Sequence, residues 1–179
     1  MKREITFKPN VQKAVEVILW FCQQTPGGIN RYNLLKALYY AEIEHLNLYG
    51  RPIIGDTYYA MKYGTVPSLT RDLIEQNPLR MACEGMTSLP FTLDGNFVIA
   101  KKRTAKEKLF SKSDLRCLEH AYRKYGTLPF KKLCDLNHEE KAWKETWKKH
   151  PNAAIPFELL IQDKAVRDDL LQHSRHLVI

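Results

Sequence analysis

The chain has 179 residues, and at 20.9 kDa it falls in the size range of one ordinary globular domain. Hydrophobic residues make up 44% and charged residues 27%, values that exclude disordered, collagen-like and disulfide-framework chains. Twenty-eight Lys and Arg against 20 Asp and Glu leave a net charge of +8, which suits an acidic partner without deciding between nucleic acid, nucleotide and protein.

The start, Met1-Lys2-Arg3-Glu4-Ile5-Thr6-Phe7, is charged and leads into no signal-peptide core. Val17 to Cys22 is the longest uninterrupted apolar run, far short of the ~20 residues that cross a bilayer, so no membrane association is expected. Cys22, Cys83, Cys117 and Cys134 are isolated from one another and form no CxxC pair. They read as free, buried thiols of a reducing compartment, which places the protein in the cytoplasm.

Val11, Ala14, Val15, Ile18, Leu19 and Cys22 repeat at 3–4 residues and predict a first helix, broken by Thr25-Pro26-Gly27-Gly28. Asn30 is suited to cap a second helix over about 31–48, apolar around most of its girth and therefore central. Tyr49-Gly50-Arg51-Pro52 ends it. The stretch 57–63 is β-prone but short, and Tyr63 to Pro67 reads as a loop. Ser68 starts a helix to about Gln76, where Asn77-Pro78 stops it. Phe91-Thr92-Leu93 and Phe97-Val98-Ile99 flank Asp94-Gly95-Asn96, a β-hairpin signature within 89–101. Leu115, Leu118, Ala121, Tyr122 and Tyr125 predict a helix from Ser113 to Gly126. A short helix over 129–136 follows, then another opened by Asn137 or His138 and stopped by Pro151. A connector or short helix covers 153–162, and a last helix about 163–174. The expected fold is mainly α: a single-domain helical bundle over 1–179 around a central apolar helix, with a small β-hairpin. Its core spans about 8–150, with a helical extension over 153–176.

Few residues suggest catalysis or metal binding. Glu42 and His45 form an E-x-x-H pair on one helix face, but a di-iron bundle needs two such pairs, so we read His45 as a core hydrogen-bonding residue. His138-Glu139-Glu140 lacks the second His of a zinc-protease helix, because residue 142 is Ala. No metal, cofactor or catalytic residue is expected. Two basic stretches stand out: 101–108, with five basic residues against Glu107, and 141–149, with four lysines against Glu145 and interleaved with Trp143 and Trp147. Basic runs are commonly solvated faces, but these also suit an acidic partner or RNA. Trp143 and Trp147, four apart, share a helix face and predict packing.

Three segments taken together resemble a known family. They are Asn33-Leu34-Leu35-Lys36-Ala37-Leu38-Tyr39-Tyr40-Ala41 with His45-Leu46 and Gly50-Arg51-Pro52; Ala60-Met61-Lys62-Tyr63-Gly64-Thr65-Val66-Pro67; and Tyr125-Gly126, Leu133 to Leu136, His138-Glu139 and Trp143. In order and spacing they are similar to the SocA-like antitoxin or Panacea domain family, which also occurs among phage-associated proteins. The chain departs from the pattern at Thr65, where Pro is usual, and at Lys141-Ala142, where the family often has small residues and Pro.

The resemblance implies a helical antitoxin that neutralises a cognate toxin, typically encoded beside it, by direct binding and without catalysis. A variant of this mode is an adaptor that delivers the toxin to a protease. It further implies that Lys62, Tyr63 and Gly64 shape a family surface or a structural corner, and that His138 and Trp143 lock the C-terminal helix or touch the partner. Partner contacts are expected among the basic stretches and the 89–101 hairpin. The alternatives are a basic nucleic-acid-binding regulator and an enzyme built on Glu42, His45 or His138.

Overall fold

In the computed structural model the described residues are 4–173; Met1 to Arg3, and residues 174–176 of the expected C-terminal extension, lie outside them. Helix α1 (Val11–Gln23) is capped by Asn10, whose side-chain oxygen accepts from the Lys13 amide. Strand β1 (Ile29–Asn30) leads directly into α2 (Arg31–Tyr49). Asn30 caps α2 as expected, accepting from the Tyr32 amide, and Gly50 ends it in the left-handed conformation. A β-hairpin follows, β2 (Tyr58–Met61) and β3 (Gly64–Pro67), then α3 (Ser68–Ile74) and α4 (Pro78–Cys83). The second hairpin is β4 (Phe91–Asp94) and β5 (Phe97–Ala100); β1 pairs with β5, giving a three-stranded antiparallel sheet in the order β1-β5-β4. The chain closes with α5 (Lys112–Tyr125), α6 (Phe130–His138), α7 (Lys141–Lys149), α8 (Phe157–Leu160) and α9 (Lys164–His173).

The mainly helical architecture around a central helix is as expected. Leu34, Leu35, Ala37, Leu38 and Ala41 of α2 face one apolar cluster, shared with α1, α3, α5 and the three-stranded sheet. Tyr39 and Leu46 face a second cluster, with Tyr58, Trp143, Ile155, Leu160 and Leu170. A helix touched on both flanks has no polar side to show, which explains its apolar girth.

Four local expectations are corrected. Tyr63 to Pro67 is not a loop; residues 64–67 are β3, paired with β2 in the register Met61↔Gly64 to Tyr58↔Pro67. The two-residue turn Lys62-Tyr63 carries none of the Asn-Gly or Asp-Gly chemistry that announces a hairpin, and the positive φ falls on the following Gly64 instead. Asn77-Pro78 does not only stop α3: Asn77 accepts from the Leu79 and Arg80 amides and starts α4 with Pro78 at its first turn. Neither Asn137 nor His138 opens α7. Both end α6, because the Asn137 side chain is engaged with the Thr65 amide and cannot cap a helix. Cys83 is exposed, unlike the other three thiols, because α4 buries none of its residues.

Helix α3 has Pro67 at its N-cap position and no side-chain cap of its own. The buried carboxylate of Asp56, twelve residues earlier, takes that role: it accepts from the Leu69 and Thr70 amides, each at 2.9 Å, and from the Thr70 hydroxyl at 2.8 Å. Asp56→Ala strands two buried N–H groups and a hydroxyl. The expected cost is about 2–4 kcal/mol of unfolding free energy by urea titration, while Asp56→Asn recovers part of it.

Candidate functional site

Helix α2 anchors its surroundings through four buried polar side chains. Asn33 donates to the carbonyls of Tyr125 and Leu128, both at 2.9 Å, fixing the α5–α6 connection. Lys36 donates from Nζ to the Thr65 carbonyl at 2.7 Å. Glu42 accepts from the Ile54 amide at 2.6 Å and more weakly from Gly55. His45 lies 2.8 Å from the Arg51 carbonyl through Nδ1 and 3.0 Å from Ser113 Oγ through Nε2. The carbonyl requires Nδ1–H as donor, which leaves Nε2 to accept from the Ser113 hydroxyl in the neutral ring.

The E-x-x-H pair is therefore split between two separate duties. Burial pushes the Glu42 carboxyl up to about 7, against the opposing hydrogen bond from Ile54. Burial lowers the pKa of His45, against the opposing bond to the Arg51 carbonyl. Asp114, 3.2 Å from His45 Nε2, is held below the usual carboxylate range: burial alone would raise it, but the 2.5 Å Lys13 ammonium and the Ser111 amide outweigh that. Among the described residues no group of three or more His, Cys, Asp or Glu is placed to hold a metal.

All five residues singled out from the sequence gather at the β2–β3 turn. Lys62 and Tyr63 form the turn itself. The Lys62 carbonyl lies 3.1 Å from His138 Nε2, and the Met61 carbonyl accepts from the Trp143 indole N–H at 2.9 Å. His138 and Trp143 stack at 4.1 Å, and Trp147 stacks on Trp143 at 5.3 Å. The end of α6 and the start of α7 thus grip the carbonyls of Met61 and Lys62 at the turn. Gly64, at φ +101°, passes so close to α2 and α6 that a Cβ would sit 2.6 Å from Lys36 Nζ and nearer still to Asn137 Oδ1. Asn137 completes the clamp by accepting from the Thr65 amide.

Lys36 is the residue the sequence reading missed. It is inside the first family-like segment, and the signal for it is a lone Lys in an otherwise apolar stretch of a central helix. It is only 4% exposed, and burial lowers its pKa to about 7.

Clamped in this way, the turn forms one wall of an open cleft of about 310 Å³. Tyr32 and Leu35 of α2, Val66 of β3, Arg71 and Glu75 at the end of α3, and Phe130 of α6 supply the rest, with Lys36 at its base and Arg31 at its rim. Phe130 sits between Tyr32 and Tyr63, with ring centroids 4.9 Å and 5.6 Å away. The basic stretches do not line this cleft. Arg103 is locked in a bidentate pair with buried Glu16, at 2.7 and 2.8 Å, and Lys101 donates to the Leu89 carbonyl. On α7, Lys144 pairs with Glu139, and the tryptophans point inward to the clamp.

The architecture is a helical domain whose central helix, with α6 and α7, clamps a hairpin turn. The chain belongs to the antitoxin SocA-like, Panacea domain family, whose model matches residues 34–144. That stretch holds Lys36, the turn and both members of its His138–Trp143 grip; α1, α8 and α9 lie outside it. No curated protein and no solved structure gives a significant match. No helix among the described residues is long and apolar enough to cross a membrane.

Two outcomes test the clamp. Gly64→Ala combines a positive φ with a clash against Lys36 and Asn137, and we expect a loss of about 2 kcal/mol or more in chemical denaturation. Lys36 has a lower pKa folded than unfolded, so between pH 7 and 8.5 the unfolded chain holds a proton that the folded chain has released. Stability gains with rising pH there by up to about 1.4 kcal/mol per unit from this group. In Lys36→Met that contribution is gone, and the difference between variant and parent measured at pH 7 and pH 8.5 isolates it.

Proposed function

We propose that this protein is the antitoxin of a toxin–antitoxin pair, acting in the cytoplasm by direct binding of a toxin encoded beside it, with no chemical step of its own. The observation that carries the reading is membership of the SocA-like antitoxin family over 34–144. The residues an enzyme would need are engaged in holding the fold. Glu42 accepts from backbone amides, while His45 and His138 are each paired with a backbone carbonyl. Delivery of the bound toxin to a protease is a variant of the same binding mode.

A nucleic-acid-binding regulator is the weaker reading. Its support is the net positive charge and the basic stretches 101–108 and 141–149, of which Arg103 is paired with Glu16, the Lys101 ammonium is turned to the Leu89 carbonyl and Lys144 is paired with Glu139.

Co-expression with the neighbouring open reading frame tests the proposal, scoring growth and then co-purification. Rescue of growth with a stable complex is the expected result. Glu42→Gln and His138→Gln, where folded, retain rescue if no catalysis is involved. Rescue without any complex, abolished by either variant, would sink the binding mechanism in favour of an enzyme.

A further inference from the structure

We infer that the cleft beside the β2–β3 turn is where the toxin docks, and that its occupant is an acidic segment presenting an apolar side chain beside an Asp or Glu. This rests on the antitoxin reading above. Six large hydrophobic side chains are exposed among the described residues, and two of them, Tyr63 at 53% and Phe130 at 42%, meet at this one cleft. Aromatic and arginine side chains clustered around a small pocket are the composition of binding hot spots. A volume of about 310 Å³ is at the low end for small-ligand pockets, suited to an inserted side chain.

Charge decides the chemistry of the occupant. Arg31, Lys62 and Arg71 line the cleft against a single carboxylate, Glu75, while Lys36 at its base is turned to the Thr65 carbonyl. Glu75 lies 3.4 Å from Arg31 Nη1 and 3.9 Å from Arg71 Nε, and Asp72 lies 3.3 Å from Arg71 Nη2. The Nε–H groups of Arg31 and Arg71 are nonetheless buried without a hydrogen-bond acceptor among the described residues. A buried donor left unpaired is costly, and an incoming carboxylate satisfies it because guanidinium Nε–H and Nη–H together donate a bidentate pair to its two oxygens. The aromatic trio would hold the adjoining apolar side chain. Because the clamp fixes the turn from behind through Lys36, Asn137, His138 and Trp143, the surface is preorganised and little ordering is lost on binding.

The test uses the full chain and the toxin from the adjacent reading frame, with affinity measured by surface-immobilised binding and folding checked by thermal melts. Phe130→Ala and Arg31→Glu should each weaken the complex at least tenfold with unchanged melting temperature. Lys148→Glu, an exposed change on α7, should leave it unaltered. If Arg31→Glu unfolds the chain, Arg31→Gln replaces it and should still cost several-fold. The expected loss shrinks at high salt for the Arg31 variants and persists for Phe130→Ala. A parent complex that is indifferent to all cleft variants overturns this inference alone and leaves the antitoxin reading standing. No complex with the parent chain overturns both. A labelled single-stranded RNA 20-mer whose binding depends on Phe130 and Arg31, with toxin affinity untouched, would also overturn it and make the cleft a nucleic-acid site.

Discussion

The fold depends on what α2 does with four polar side chains that it takes out of water. Asn33, Lys36, Glu42 and His45 each reach a different irregular segment: the α5–α6 connection, the β2–β3 hairpin, the loop at Ile54, and the start of α5 with Arg51. Irregular backbone near a core carries donors and acceptors that no helix ladder satisfies, and a buried group left unpaired is expensive. Placing one side chain of α2 at each such segment meets that demand and fixes where each segment lies. The apolar residues of the same helix supply the packing; the polar ones set the position.

The hairpin turn is where these constraints converge. Lys36 and Asn137 hold β3 from below, while His138 and Trp143 hold the carbonyls of Met61 and Lys62 from the side. Stacking of Trp147 on Trp143 extends the grip along α7, so the turn is supported by α2, α6 and α7 together. On its outer edge, β2 also exchanges hydrogen bonds with the 152–155 segment, through Ala60 with Asn152 and Ala153 and through Ile155 with Tyr58. A hairpin of two four-residue strands is marginal alone, and here it is fastened on every side but one. The open side is the cleft with Tyr63 and Phe130.

That arrangement separates the residues that hold the turn from those that line the open cleft. Glycine at position 64 is demanded by the close approach of Lys36 and Asn137. The cleft rim is built differently: Arg31 and Tyr32 precede the matched stretch, and Phe130 and Tyr63 point outward from it.

Much of the helical framework was legible in the sequence, because its signals are local. The stripe of Val11 to Cys22, the Asn30 cap, the Gly50 stop and the Asp94-Gly95 turn each act within a few residues. Residues 62–64, 138 and 143 could be singled out by motif, and the apolar girth of α2 marked it as central. What sequence could not supply were relations between distant segments. The β2–β3 pairing has no turn signature, the cap of α3 comes from Asp56, and Asn137 stops being a capping candidate only because Thr65 lies against it. Lys36 is marked in the sequence only as a lone Lys in an apolar stretch, with nothing to name Thr65 as its partner, and Arg31, Arg71 and Phe130 are scattered over about a hundred residues until packing brings them to one cleft. Local periodicity and capping chemistry determined the elements. Only tertiary structure decided the site, because its buried hydrogen bonds and its charge balance exist between segments that have no local reason to meet.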